Sequence, residues 1–106
     1  MKMDRVEYLK KFFEKVEKIK KVTEEKNKDY ANDGDAFQNF RQIEFLTDNK
    51  ITLEEGVLVR MTDKMSRISN LLYKSNDVKD ESITDTLDDL AVYSLILSIY
   101  LSNKGK

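Results

Sequence analysis

The feature that most constrains this sequence is its lack of chain breakers, because 106 residues contain no proline and only three glycines. Proline ends helices and glycine weakens them, whereas the abundant Lys, Glu, Leu and Met favour them. The sequence therefore predicts an all-α fold. A chain of this length fits one compact unit, so we expect a single domain over residues 1–106.

Apolar periodicity predicts four helices. The first, over about residues 3–28, has apolar residues at spacings of three and four, with charged residues on its other face. These apolar residues are Leu9, Phe12, Val16 and Ile19. A short second helix follows turn residues 32–35, where Asp33 or Asp35 can cap it, and ends near residues 47–49. A third begins at a capping box of Thr52 and Glu55, breaks at residues 75–77, and is followed by a fourth over about residues 81–102.

The last predicted helix indicates a four-helix bundle that is oligomeric. Its segment from Leu90 to Leu101 is apolar on nearly every side, so it is either central to the bundle or shared with another subunit. A domain this small buries a limited core, and we expect it to form a homo-oligomer. No apolar leader precedes the first helix and no apolar stretch is long enough for a bilayer, so we expect a cytoplasmic protein without a membrane partner.

Composition excludes several classes of chemistry. Without Cys or His there is no disulfide framework, no Cys/His zinc site, no cysteine nucleophile and no Ser-His-Asp relay. Catalysis would have to use carboxylates, Lys, Arg, Tyr, hydroxyls or a hard metal ion. The net charge of −1 and the mixing of Lys with Glu along the first helix argue against a nucleic acid partner and against a membrane surface.

The first half of the fourth helix carries a carboxylate stripe. Glu81, Asp85 and Asp88 follow the i, i+4, i+7 spacing, and Asp89 lies one turn beyond Asp85. One interpretation is a solvated face, because the helix dipole favours acidic residues near the N-terminus of a helix. The other is a Mg²⁺ site, because carboxylates one turn apart can converge on a hard cation and the stripe leads directly into an apolar segment.

The third helix offers cations that complement this stripe. Arg60, Lys64 and Arg67 recur at helical spacing and can receive phosphate oxygens, while Asp63 can add a carboxylate to the metal. The alternative is an ordinary exposed face with an Asp63 to Arg67 ion pair. Only the position of this helix relative to the fourth one distinguishes the two.

The segment over residues 28–41 combines aromatic and polar side chains. Three aromatic residues can stack on a base, two amides can read its polar edge, and one arginine can reach a phosphate. These residues are Tyr30, Phe37 and Phe40, then Gln38 and Asn39, then Arg41. The alternative is that the two phenylalanines fill a core.

Three stretches carry a family resemblance. They are Lys28-Asp29-Tyr30 through Asn39-Phe40, Arg60-x-x-Asp63-Lys64-x-x-Arg67-Ile68, and Asp80-Glu81-Ser82-Ile83-x-Asp85-Thr86-Leu87-x-Asp89-Leu90-Ala91-x-Tyr93. Together they resemble the phage and bacterial nucleotide-modification-associated domain, which is similar to the MazG-like all-α nucleoside triphosphate pyrophosphohydrolases. The resemblance covers residues 28–97. It implies an oligomeric bundle of MazG-like type that binds a nucleotide and Mg²⁺ between helices.

In MazG-like enzymes, acids on two neighbouring helices hold the metal, and water attacks a phosphorus to release pyrophosphate. Asp85 matches the aspartate that ends the second acidic motif, although the usual Glu three residues earlier is Ser82 here, with Glu81 one place off. For the first acidic motif, a paired-Glu cluster, Asp63 is the nearest residue. The further substitutes are Glu44, Glu54 and Glu55.

The leading hypothesis is a Mg²⁺-dependent nucleotide pyrophosphohydrolase or a related phage nucleotide-processing protein, acting in the host cytoplasm if phage-encoded. The expected metal ligands are Glu81, Asp85, Asp89 and Asp63, of which Glu81, Asp85 and Asp63 are also the expected catalytic residues. The expected nucleotide-binding residues are Arg60, Lys64, Arg67, Asn39 and Tyr30. The alternatives are a protein that sequesters a nucleotide without cleaving it and a small helical interaction module.

Overall fold

The computed structural model describes residues 1–31, 34–74 and 81–106, and for residues 29–31, 81 and 82 it describes the helix backbone but not the side chains. Within these ranges the chain forms four α-helices and no strand, which confirms the all-α prediction. The helices are α1 (Arg5–Ala31), α2 (Gln38–Leu46), α3 (Leu53–Tyr73) and α4 (Glu81–Asn103). Contacts divide the chain into two units, Met1–Gln38 and Asn39–Lys106.

The first unit consists mainly of α1. Asp4 caps this helix, because its Oδ1 accepts a hydrogen bond from the backbone N–H of Glu7 at 2.8 Å. The helix therefore begins at Arg5 rather than near residue 3, and it extends to Ala31 rather than ending near residue 28.

The predicted apolar stripe runs along one side of α1. The centroids of the Phe12 and Tyr8 rings lie 6.0 Å apart. The Phe12 and Phe13 rings meet edge-on. Phe12 and Phe13 are nevertheless 48% and 63% exposed. The stripe is thus an accessible apolar face.

The start of α2 uses one of the two predicted turn aspartates. Asp35 Oδ1 accepts a hydrogen bond from the backbone N–H of Phe37 at 3.0 Å, one residue before α2 begins. Asp33, the other candidate, lies outside the described residues, as does the predicted break at residues 75–77.

The connection from α2 to α3 is tightly bonded. Asp48 and Asn49 adopt positive φ angles of 54° and 62°, and the N–H of Asn49 donates to the carbonyl of Glu44 at 2.7 Å, which closes the end of α2. Every backbone N–H from residue 47 to residue 53 donates to an acceptor within the segment or its flanking helices.

The predicted capping box of α3 is confirmed. The Thr52 hydroxyl accepts from the N–H of Glu55, and the Glu55 carboxylate accepts from the N–H of Thr52, each at 3.1 Å. A second carboxylate joins them, because Glu44 Oε2 accepts from the N–H of Leu53 at 3.0 Å. The start of α3 is therefore fixed by its own residues and by α2.

Gly56 lies where α2 approaches α3 closely. A Cβ added at this position would lie 3.0 Å from Cγ2 of Ile43, which is tighter than ordinary packing allows. Glycine normally weakens the interior of a helix, whereas Gly56 allows the close packing of α2 against α3.

Helices α3 and α4 pack side by side and run in opposite directions. Lys64 near the middle of α3 pairs with Asp89, while Glu54 at its start pairs with Lys104 just beyond the end of α4. The interior of the second unit is small. Among the residues described there, the buried ones are Leu53, Val57, Ile68 and Thr86. No helix in the described ranges is both long and apolar enough to cross a membrane.

Candidate functional site

The boundary between α3 and α4 joins the basic row of one helix to the acidic stripe of the other. Lys64 Nζ lies 3.2 Å from Asp89 Oδ2, within hydrogen-bonding distance. Both side chains keep partial access to solvent, with 30% of Lys64 and 41% of Asp89 exposed. Arg60 and Arg67 on α3 and Asp85 on α4 each lie three or four residues from this pair along the same helices.

An aromatic and cationic cluster lies one turn from this pair. The Phe40 ring meets the Tyr93 ring edge-on, with 6.4 Å between their centroids, and the Arg60 guanidinium lies 5.0 Å from the centroid of Phe40. Arg60 precedes Lys64 by four residues and Tyr93 follows Asp89 by four. Because the helices are antiparallel, both residues lie on the same side of the ion pair.

The opposite side of the pair is occupied by a second acid and a second base. Arg67 follows Lys64 by three residues and Asp85 precedes Asp89 by four, so both lie toward the end of the helices away from Phe40. Both residues are exposed. Charged groups of both signs thus continue along the boundary.

Thr86 explains why this stripe lies at the edge of the helix pair. Thr86 is only 4% exposed, so this side of α4 faces the interior at that turn. Its neighbour Asp85 is therefore turned outward, while Asp89 lies one turn further along at the contact with α3. The carboxylates border the core without entering it.

The remaining predicted site residues have no contact with the ion pair among those described above. Asn39 and Asp63 are both exposed. The side chains of Tyr30 and Glu81 lie outside the described part, although both residues belong to helices. Among the described side chains, no three acidic residues lie close enough together to form a metal-binding group. Asp85 and Asp89 supply oxygen donors of the kind Mg²⁺ prefers, and the chemistry of this donor set fits that ion.

The three glutamates considered as substitutes for a first acidic motif have structural partners. Glu44 caps α3 through Leu53, and Glu55 belongs to the capping box. Glu54 accepts a hydrogen bond of 2.8 Å from Lys104 Nζ, which lowers the pKa of the Glu54 carboxyl and raises the pKa of the Lys104 ammonium. These carboxylates therefore stabilise the start of α3 and its contact with the end of α4.

Sequence reasoning missed a contact at the far end of the boundary. The Arg41 guanidinium lies 5.7 Å from the centroid of the Tyr100 ring, although Arg41 is interpreted from the sequence as a phosphate contact. No spacing rule connects two residues so far apart in the chain. The sequence gives no signal for this contact beyond the presence of an arginine and a tyrosine on predicted helices.

Comparison of the chain with protein-family models, with curated proteins and with solved structures found no match.

Proposed function

We propose that this chain is a Mg²⁺-dependent nucleotide pyrophosphohydrolase of MazG-like type, or a closely related nucleotide-processing protein. The observation that carries the proposal is the ion pair between Lys64 and Asp89, since it brings a basic helix face and an acidic helix face to one boundary. A phosphate chain with its metal needs both kinds of group within a few ångströms.

The carboxylates form the metal end of the proposed site. Asp85 and Asp89 of α4 would hold the ion. Glu81, one turn earlier, and Asp63 of α3 are the further ligands expected from the sequence. When bound by these carboxylates, Mg²⁺ would supply positive charge at the phosphates and make a water more acidic. With no histidine in the chain, the proton of the attacking water would pass to a carboxylate that does not bind the metal, or the metal itself would activate the water.

The cations neutralise the phosphates. Lys64 already contacts Asp89, and Arg60 and Arg67 extend the positive charge by one turn in each direction along α3. Positive groups fixed in this way stabilise negative charge that develops on phosphate oxygens during cleavage.

The aromatic cluster supports a nucleoside at the other end of the site. Tyr93 and Phe40 lie next to Arg60, and aromatic rings beside cations suit a base attached to phosphates. Asn39, adjacent to Phe40 in the chain, offers an amide for the polar edge of the base.

The test is pyrophosphate release from a panel of standard and modified deoxynucleoside triphosphates with Mg²⁺. We expect turnover by the unmodified protein and its loss in Asp85→Asn, which removes a charged ligand without changing the size of the side chain. Glu24→Gln is the matched control, because Glu24 is an exposed acid on α1 outside the proposed site. No turnover by the unmodified protein, or full turnover by Asp85→Asn, contradicts hydrolysis.

A second function, binding of a nucleotide without cleavage, has its own support. Glu44, Glu54 and Glu55 are engaged in caps and an ion pair, so these acids do not add to the metal end. Calorimetry followed by recovery of the intact ligand identifies this function. If instead the chain is an interaction module, no nucleotide with Mg²⁺ raises its melting temperature, whereas specific binding raises it by mass action.

A further inference from the structure

One arginine of the proposed site is held on an aromatic ring. The Arg60 guanidinium lies over the Phe40 ring, with its Cζ 5.0 Å from the ring centroid, which is within the range of a cation–π contact. Among the described side chains, no carboxylate forms an ion pair with Arg60. A ring takes up none of the N–H···O hydrogen bonds that a carboxylate would accept, so the donors of Arg60 stay available for phosphate oxygens.

The Phe40 ring is itself fixed in place. It meets the Tyr93 ring at 87°, with 6.4 Å between the centroids, a favourable edge-on arrangement. Both aromatic residues are partly buried, whereas Arg60 is exposed. Phe40 of α2 thus contacts α4 on one side and carries the arginine of α3 on another. A partly buried ring of this kind gives a long, exposed side chain a firm support.

The close approach of α2 to α3 explains why Phe40 lies at Arg60. Ile43 on α2 lies directly against Gly56 on α3. Phe40 precedes Ile43 by three residues and Arg60 follows Gly56 by four, so each lies one turn from this contact on the side of its helix that faces the other. The contact between Ile43 and Gly56 therefore also sets the position of the ring under the guanidinium.

We propose that Phe40 is a positioning residue, which holds the Arg60 guanidinium ready for the phosphates of the ligand. This inference rests on the phosphate-binding role proposed for Arg60. A free arginine loses the freedom of several torsions when it binds a ligand, whereas a side chain already held in place loses less. The cost of immobilising one such side chain corresponds to about two- to tenfold in affinity. Because Phe40 acts through Arg60, its effect extends to a ligand that has no base.

The first test is calorimetry with inorganic tripolyphosphate and Mg²⁺, a ligand without a base. Phe40→Leu should weaken its binding by about two- to tenfold, and Phe40→Tyr, which keeps the ring, should restore it. Tyr100→Leu is the matched control, because it removes a similar contact, between the Tyr100 ring and Arg41 at 5.7 Å, near the far end of α4. Unchanged binding in Phe40→Leu, or equal losses in Phe40→Leu and Tyr100→Leu, overturns the proposal.

A double-mutant cycle tests whether Phe40 acts through the arginine. In an Arg60→Met background, Phe40→Leu should cause no further loss of tripolyphosphate binding, since the group that it positions is gone. A purely structural role of the ring would make the two losses add. Additive losses therefore overturn the proposal.

The second measurement is nuclear magnetic resonance of the protein with Phe40 in place, so it does not depend on the folding of Phe40→Leu. The ring current should shift the side-chain proton resonances of Arg60 upfield, and the shift should persist when tripolyphosphate is bound. Loss of the shift on binding would mean that the guanidinium leaves the ring for the phosphates, which overturns the proposal. Neither experiment requires turnover. Absence of turnover with these results intact contradicts the proposed hydrolysis alone, whereas normal turnover with unchanged binding in Phe40→Leu contradicts the positioning role alone.

Discussion

Lys64 and Asp89 form the ion pair that links the middle of α3 to α4, with Nζ and Oδ2 3.2 Å apart. Both side chains are partly open to water, and pairs of this kind contribute about 0.2–1 kcal/mol to stability. The pair is thus weak enough for a ligand to compete with it. This property gives the proposed site its first quantitative test.

Replacing Lys64 should affect nucleotide binding more than folding. We expect Lys64→Met to lower the free energy of unfolding by less than about 1 kcal/mol, because the ion pair is exposed. Binding of a triphosphate should weaken by about tenfold or more, because a charged hydrogen bond to phosphate contributes about 1.5–3 kcal/mol. Denaturant titration and calorimetry measure the two effects.

The control for this prediction is Lys50→Met, since Lys50 is an exposed lysine in the connection before α3. It should change neither quantity appreciably. Equal losses of binding in Lys50→Met and Lys64→Met would mean that Lys64 acts only through the net charge of the chain.

Phe40 should contribute more to stability than its exposed neighbour in the same helix. Phe40→Leu removes the edge-on contact with Tyr93 and the guanidinium contact with Arg60. We expect a loss of about 1–2 kcal/mol in the free energy of unfolding, the sum of an aromatic pair and a cation–π contact. Phe45→Leu is the control, because Phe45 is 85% exposed. A loss in Phe45→Leu as large as that in Phe40→Leu would contradict this assignment.

Gly56→Ala should reverse the usual effect of this substitution. Alanine normally stabilises a helix interior by about 1 kcal/mol relative to glycine. Here the new Cβ would lie 3.0 Å from Ile43 Cγ2, and a β-branched side chain on a helix has few alternative rotamers. We therefore expect a net destabilisation of about 1 kcal/mol, since overpacking costs about 1–3 kcal/mol. Thermal and denaturant unfolding measure it.

The partner variant in this experiment is Ile43→Ala, which removes the obstructing methyl group. In that background Gly56→Ala should become stabilising, and the change of sign measures the contact between the two positions. If Gly56→Ala has the same effect in both backgrounds, the close approach of α2 to α3 does not determine the choice of glycine.

The pair of Glu54 and Lys104 should make stability depend on pH in a defined direction. The hydrogen bond from Lys104 lowers the pKa of Glu54, so the stabilisation is present above the ordinary carboxyl pKa and is lost as pH falls through the lowered value. The same bond raises the pKa of Lys104, so the stabilisation is present below the ordinary ammonium pKa and is lost as pH rises through the raised value.

The measurement is the melting temperature of Glu54→Gln across this pH range. The variant should melt below the unmodified protein near neutral pH, and the difference should disappear in strong acid, where Glu54 is protonated in both folded and unfolded states. Glu54→Gln combined with Lys104→Gln should melt close to either single variant at neutral pH. A difference in melting temperature that is constant with pH would show that the glutamate acts through packing.

The helices could be predicted from the sequence because their signals are local. The lack of proline, the spacing of apolar residues and the capping box of Thr52 and Glu55 each depend on residues within a few positions of one another. Asp35 at the start of α2 is another such signal. The start of α1 differs from the prediction by two residues, because Asp4 caps the helix and Arg5 is its first residue.

For the candidate site, the sequence could predict which residues share a helix face, but not which residues of the two helices are in contact. Helical spacing put Lys64 and Asp89 on suitable faces, but their contact depends on how α3 and α4 align, which is decided by packing around Leu53, Val57 and Ile68. Glu44 illustrates the limit most clearly. Its charge indicated a ligand, whereas its position near the end of α2 makes it a cap for the next helix.

The hydrogen bonds of the connection between α2 and α3 should limit insertions and amide exchange in this segment. Surface loops usually accept inserted residues and exchange their amide hydrogens quickly. Here every amide from residue 47 to residue 53 is committed to an acceptor, so an inserted residue would break several hydrogen bonds at once. The segment should exchange deuterium as slowly as the helices beside it, and its length should be as closely constrained as that of a helix.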